Sequence, residues 1–226
     1  MQPKKPLYDI TPFSTLDYPD HLAAIFWFAG CNMRCDYCYN ANIVFSKGSL
    51  SADDALTFLK QRTGLLDAVV LSGGEATLFE NIIELAQQIK ELGFKIKLDT
   101  NGTAPKVVET LLKKELIDYI ALDYKAPKQK FSTITHNQQF TFFNYTLELL
   151  INSETPFEVR TTLHSDLLNE CDINSIIEDL YAKGYRNSYY IQNFLYDENT
   201  IGKLSTPTKG FDKNRLNSLL HVEFRN

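Results

Sequence analysis

An α/β fold on a parallel sheet follows from three observations. Short apolar runs rich in β-branched or aromatic residues recur along the 226-residue chain, each but the last is followed by a stretch with helical spacing of its apolar positions, and several of those stretches carry end signals. Alternation of this kind requires right-handed crossovers between parallel strands; periodicity alone leaves open a doubly wound sheet or a curved, barrel-like one. In both, the loops leaving the carboxyl ends of the strands gather on one rim, and functional groups are expected there.

Taken in order, strands are expected near Leu22–Phe28, Ala68–Leu71, Lys95–Leu98, Tyr119–Leu122, Glu158–Thr162 and Ser188–Gln192. Between them, helices are expected near Ser51–Thr63, Phe79–Leu92, Ala104–Lys114, Phe140–Asn152 and Asn174–Lys183, with a last one near Asp212–His221. Ser51 before Ala52-Asp53-Asp54 is an N-cap with acids in the first turn, and Gly93 and Gly184 stand where helices stop. No repeat or linker-like segment interrupts this rhythm, so one domain over 1–226 is expected, with a core of about 22–194, a lead-in 1–21 and a tail 195–226. A net charge of -5 without a basic stripe argues against a nucleic-acid partner. The apolar stretch Ala23–Ala29 is too short to span a membrane, and a cytoplasmic location is expected.

Chemistry concentrates at the strand ends. After the first strand, Gly30 opens a loop holding Cys31-Asn-Met-Arg-Cys35-Asp-Tyr-Cys38, while Cys171 stands alone and reads as a small buried apolar residue. Three thiolates so spaced can point at one metal centre, and a cluster held by three cysteines leaves one iron open to a small-molecule cofactor. The same spacing occurs in structural zinc sites, with Cys171, His21, His136, His164 or His221 as the fourth ligand. Zinc explains none of the motifs at the other strand ends. These are Ser72-Gly73-Gly74-Glu75, Asp99-Thr-Asn101-Gly102, Asp123-Tyr-Lys125, Val159-Arg160 and Tyr190-Ile-Gln192. Each has a plain reading: a tight turn for the glycines, solvated loop acids, an ion pair for an inward-facing Arg160, and a strand-closing amide for Gln192.

The pattern Cys-x3-Cys-x-aromatic-Cys, with Tyr37 in the aromatic place and Tyr39 just after, resembles the signature of the radical S-adenosylmethionine (SAM) superfamily. The stretch from Thr11 to Asn40 resembles more particularly the activating proteins of anaerobic ribonucleoside-triphosphate reductase and, more distantly, pyruvate formate-lyase activating enzyme; the likeness extends to about Gln192. It implies a partial (β/α)6 barrel, which agrees with the six strands counted independently. It also implies a 4Fe-4S cluster on Cys31, Cys35 and Cys38, and SAM cleaved reductively beside it. By the same resemblance Ser72, Gly73, Gly74 and Glu75 meet the SAM amino group, although Ala76 replaces the usual proline and is expected to loosen the turn. Asp99, Asn101, Asp123 and Lys125 would surround the ribose and methionine end, Lys125 being a suitable partner for the carboxylate. Arg160 would have a SAM-linked role, Gln192 would contact the adenosine, and Tyr37 and Tyr39 would lie at the cofactor. A monovalent cation at Asp99 and Asp123 is a further implication.

The implied partners are a glycyl radical enzyme, anaerobic ribonucleotide reductase, and a flavodoxin or ferredoxin as electron donor. Two other readings stand beside this one: a small-molecule or peptide-modifying radical SAM enzyme, such as a 7-carboxy-7-deazaguanine synthase, and a non-catalytic zinc-binding interaction module.

Overall fold

The computed structural model describes residues 5–225. Eight strands form one sheet in chain order: β1 (Leu7–Ser14), β2 (Ala23–Phe28), β3 (Ala68–Gly73), β4 (Lys95–Thr100), β5 (Tyr119–Asp123), β6 (Phe157–Leu163), β7 (Tyr189–Asn193) and β8 (Val222–Arg225). Only the β1–β2 pair is antiparallel, and the sheet does not close. The helices are α1 (Ala41–Val44), α2 (Ala52–Lys60), α3 (Ile82–Glu91), α4 (Pro105–Lys113), α5 (Lys128–Thr135), α6 (Phe140–Ile151) and α7 (Glu170–Lys183). The six expected strands and the helices between them are all present, as a partial barrel.

Strand alternation divides the side chains between two environments. Ala24, Phe26, Phe28, Val69, Leu71, Ile96, Leu98, Ile120, Leu122, Val159 and Ile191 join the helices in the main core. The opposite parity carries Ala23, Ile25, Ala68 and Val70, which pack with Tyr18, Trp27 and Tyr119 into a second, smaller cluster. That inner face has few helix-borne apolar partners. Farther along the same strands it turns polar, at Ser72, Asp99, Asp123, Arg160 and Gln192.

Four elements, β1, α1, α5 and β8, are not expected from the sequence, and one expected helix is absent. The lead-in contains β1, an edge strand disguised by its lack of clean alternation and by Pro12; on an edge the missing N–H breaks no essential ladder. The short helix α5 buries only Phe131, Ile134 and Thr135 and shows little apolar periodicity. The expected helix over 212–221 is absent. A 3-10 turn, Lys213–Arg215, is followed by irregular chain and then β8. Asn174 on α7 explains this, since its amide donates to the Arg215 carbonyl and accepts from the Asn217 N–H, taking both away from helical bonding. Strand β8 then brings Arg225 across β7 onto Glu158, with its guanidinium 3.5 Å from the Tyr190 ring centroid.

The end of β3 is pressed against the loop after β2. A Cβ on Gly74 would lie 1.9 Å from the Gly30 carbonyl oxygen, and one on Gly73 would lie 2.5 Å from the Phe28 nitrogen. The Gly74 and Glu75 N–H groups donate to Phe28 and Gly30 carbonyls at 2.8 and 2.9 Å. The paired glycines are therefore required by backbone contact within the protein, before any ligand is considered. Gly74→Ala is expected to lower the unfolding free energy by about 1–3 kcal/mol in urea titration. Gly210→Ala, where a Cβ meets nothing within 4 Å, should change it by less than about 0.5 kcal/mol.

Candidate active site

All fifteen residues singled out at the strand ends line one cavity at the carboxyl rim, which encloses about 1090 Å³ partly continuous with solvent. That is ample for a nucleoside-sized ligand beside a metal centre. Trp27, Met33, Thr100, Thr162 and Asp17 also line it. Trp27 and Thr162 share the inward parity of Ser72 and Arg160, a signal legible in the strands; Asp17, from the β1–β2 loop, had none.

The cysteine loop is anchored on several sides. Arg34 and Asp36 N–H groups donate to the Thr135 and Ile134 carbonyls at the end of α5, and His136 Nε2 lies 2.8 Å from Asp36 Oδ1. Asn32 donates to Thr103 and Gln139, and Asn137 donates to the Asn32 carbonyl. From the tail, Ile201 and Gly202 donate to the carbonyls of Cys38 and Asp36, and a Cβ on Gly202 would lie 2.6 Å from Asp36 Cβ. This contact between tail and loop had no sequence signature. Tyr37 is buried with its hydroxyl donating to the Lys125 carbonyl, tying the loop to the rim of β5.

Cys35 is buried, and Cys31 and Cys38 are partly exposed. Burial pushes the Cys31 thiol up to about 11, the Glu75 carboxylate adding to it, and pushes Cys35 up to about 12. Free thiolates are thus disfavoured, and bound metal would supply the compensating charge. Among the described residues, no three His, Cys, Asp or Glu side chains are grouped as a single-ion site. Cys31, Cys35 and Cys38 all line the cavity, and three thiols without a fourth protein ligand are a donor set that fits an iron–sulfur cluster with one open iron. None of Cys171, His21, His136, His164 and His221 lines the cavity. Cys171 is exposed on α7, not buried as expected, because its position in the first turn faces away from the sheet.

Behind the loop, five charged side chains form a ladder across three strands. Arg160 donates from Nε to Asp123 Oδ1 at 2.6 Å and reaches Asp99 Oδ2 at 3.2 Å. Lys97 donates to Asp99 at 2.6 Å, Lys125 to Asp123 at 2.8 Å, and Ser72 to Asp99 at 3.0 Å. Burial would raise both carboxyls, but the surrounding cations outweigh it and hold Asp99 and Asp123 below the usual carboxylate range. Three cations face two acids, so the ladder keeps one positive charge in excess. A monovalent cation at Asp99 and Asp123 would have to displace an ammonium or guanidinium group.

Glu75, expected as an open acceptor for an ammonium group, is 2% exposed. It already accepts from Thr77 N and Oγ1, Thr100 Oγ1 and Asn101 N, so its carboxylate joins the ends of β3 and β4. The turn after it is ordered despite the missing proline: Ala76 is fully buried and its carbonyl accepts from Phe79. The Asn101 amide is likewise engaged within the protein, donating to Asn32 Oδ1 at 2.9 Å.

A model of the radical SAM superfamily matches residues 25–180. The chain belongs to the radical SAM superfamily. Membership implies a 4Fe-4S cluster and SAM. A Methanocaldococcus jannaschii protein named "Putative glycyl-radical enzyme activating enzyme" is 37% identical over 188 residues, 76% of each chain. The 7-carboxy-7-deazaguanine synthase of Clostridium acetobutylicum is 30% identical over 127 residues, covering 54% of this chain and 56% of that one. Among solved structures, Streptococcus suis SuiB bound to S-adenosylmethionine superposes with a TM-score of 0.67 at 15% identity, over 89% of this chain and 52% of that one. At that identity it shows the fold alone: this radical SAM chain shares the partial barrel with a longer structure, of which it covers 52%.

The ladder of this radical SAM chain sets an acid limit on stability. Arg160→Met removes the guanidinium shared by two buried carboxylates and leaves each with one lysine, Lys97 on Asp99 and Lys125 on Asp123, and is expected to cost about 1–3 kcal/mol in urea titration at pH 7. Because the folded pKa values of Asp99 and Asp123 lie below the unfolded value of about 3.9, their contribution is complete above that value and is lost as pH falls through the folded ones. Urea titrations at descending pH should therefore show wild-type stability declining below about pH 4, and a shallower decline in Arg160→Met.

Proposed function

We propose that this chain is a glycyl-radical-enzyme activase that holds a 4Fe-4S cluster on Cys31, Cys35 and Cys38 and cleaves SAM reductively, acting on anaerobic ribonucleoside-triphosphate reductase. The observation that carries it is the convergence of the three-cysteine loop, the cationic ladder and the strand-end polar groups on one cavity in a radical SAM chain. The relative covering 76% of the chain favours an activase over other chemistries of the superfamily. A cluster held by Cys31, Cys35 and Cys38 would, when reduced, supply the electron for reductive cleavage of SAM, and the hydrogen atom removed would be that of a glycine Cα in the partner.

The chain's own residues bind and orient. Three cysteines leave a fourth cluster position for SAM, and the excess positive charge at Lys125 and Arg160 matches its carboxylate. Backbone groups at Ser72–Glu75 face its amino end, since the Glu75 side chain is engaged elsewhere. Gln192 and Tyr39 line the part of the cavity left for the nucleoside. The sheet stays open between β1 and β8, and Leu16, beside cavity-lining Asp17, is 89% exposed. A partner's glycine-bearing loop is admitted there. A flavodoxin or ferredoxin is the proposed donor. Among the described residues no helix is long and apolar enough to cross a membrane, and a cytoplasmic site of action is part of this proposal.

The test is anaerobic reconstitution followed by incubation with dithionite, SAM and purified reductase. About four irons per chain, deoxyadenosine and a glycyl doublet in electron paramagnetic resonance are expected. Cys35→Ala should lose the cluster and all radical formation, whereas Cys171→Ser should retain both. Deoxyadenosine stimulated by a small-molecule substrate, with no doublet on the reductase, would favour the chemistry of the deazaguanine synthase relative instead.

A further inference from the structure

We infer that Asn101 is a positioning residue for the cluster, donating a hydrogen bond to the Cys31 sulfur and thereby setting the ease of cluster reduction. The inference rests on the assignment of Cys31 as a cluster ligand, and it replaces the ribose contact expected of Asn101 from family resemblance.

The geometry defines which end of the amide faces the sulfur. Asn101 Oδ1 accepts from the Thr103 backbone N–H at 3.0 Å and from Thr103 Oγ1 at 2.6 Å. A backbone N–H can only donate, so the oxygen belongs on that side and the amide cannot be turned over. Its Nδ2 therefore points the other way, with one hydrogen on Asn32 Oδ1 at 2.9 Å and the other on Cys31 Sγ at 3.8 Å. Asn32 is itself fixed, donating to Thr103 Oγ1 and Gln139 Oε1. Asn101 is 4% exposed, so water does not compete strongly for that hydrogen.

Cys31 has few other sources of compensation. The Met33 N–H lies 3.4 Å from its sulfur and the Lys125 ammonium favours negative charge on it without a direct bond, while burial and the Glu75 carboxylate both oppose that charge. A ligating sulfur gains negative charge when its cluster is reduced, and a donor aimed at it favours the reduced state. Glu75 accepts from the Asn101 backbone N–H at 2.7 Å, so the residue is held at both ends, by β3 through its backbone and by the cysteine loop through its side chain.

The experiment is a redox titration of the anaerobically reconstituted full chain without SAM, read by electron paramagnetic resonance, for wild type, Asn101→Ala and Asn101→Asp. The aspartate keeps an acceptor for the Thr103 amide and so the turn, but replaces the donor with a charged acceptor. Both variants are expected to load about four irons and to have a more negative midpoint; at the wild-type midpoint the reduced fraction should fall at least about threefold, more in Asn101→Asp. SAM affinity of Asn101→Ala, measured separately, should stay within about twofold of wild type. Unmoved midpoints in loaded variants would overturn the inference while leaving the cluster assignment standing, and weakened SAM binding with an unmoved midpoint would restore the ribose contact. A wild-type chain that takes up no four-iron cluster would overturn the cluster assignment and this inference with it.

Discussion

The ion ladder on the inner face of the sheet is the constraint on which the site depends. A partial barrel covers its outer face with helices, whereas the upper inner face must be satisfied by the strands themselves and by whatever enters from the rim. Buried charges persist only when paired and hydrogen-bonded, and Arg160 achieves this by bridging Asp99 on β4 and Asp123 on β5 from β6. Lys97 and Lys125 complete the pairing from within the same strands or just beyond them. Below the ladder, Tyr18 and the small residues of β2 and β3 close the inner face with apolar packing. The cavity is therefore polar above and sealed below, with a surplus positive charge directed at its contents.

The cysteine loop has the opposite character. Its sulfurs are partly or fully buried, burial outweighs the Lys125 ammonium in opposing thiolates at Cys31 and Cys35, and its backbone relies on anchors from β3, α5, the α5–α6 loop and the tail after β7. Such a loop is held in place by its surroundings, while the charge at its centre is left for a metal to balance. Glu75 and Asn101 belong to this scaffolding: each is buried, each is saturated by protein donors or acceptors, and together they couple the ends of β3 and β4 to the cysteines.

The residues named by family resemblance line one cavity, and two of them have side chains already bonded within the protein. Glu75 and Asn101 stand in the expected motifs and line the expected cavity, yet their side chains act inside the protein. A motif in a sequence locates a residue on the rim; it does not say which way the side chain turns, because that depends on donors such as Thr77, Thr100 and Thr103.

From the sequence alone came the six parallel strands, the helices between them, the inward-facing Arg160, and the gathering of the motifs at the carboxyl rim. These follow from local periodicity and from the rule that parallel strands send their outgoing loops to one edge. The tertiary structure alone decided the rest. Strand β1 and the short α5 bury too little of themselves to announce their period, and the expected helix at 212–221 gave way to backbone bonds with Asn174 from α7. The pairing of Arg160 with two acids, the tail's grip on Asp36 and Cys38, and the turn of Asn101 toward Cys31 all join residues far apart in the chain. Local pattern carries no record of such contacts, because each is determined by what the fold places opposite.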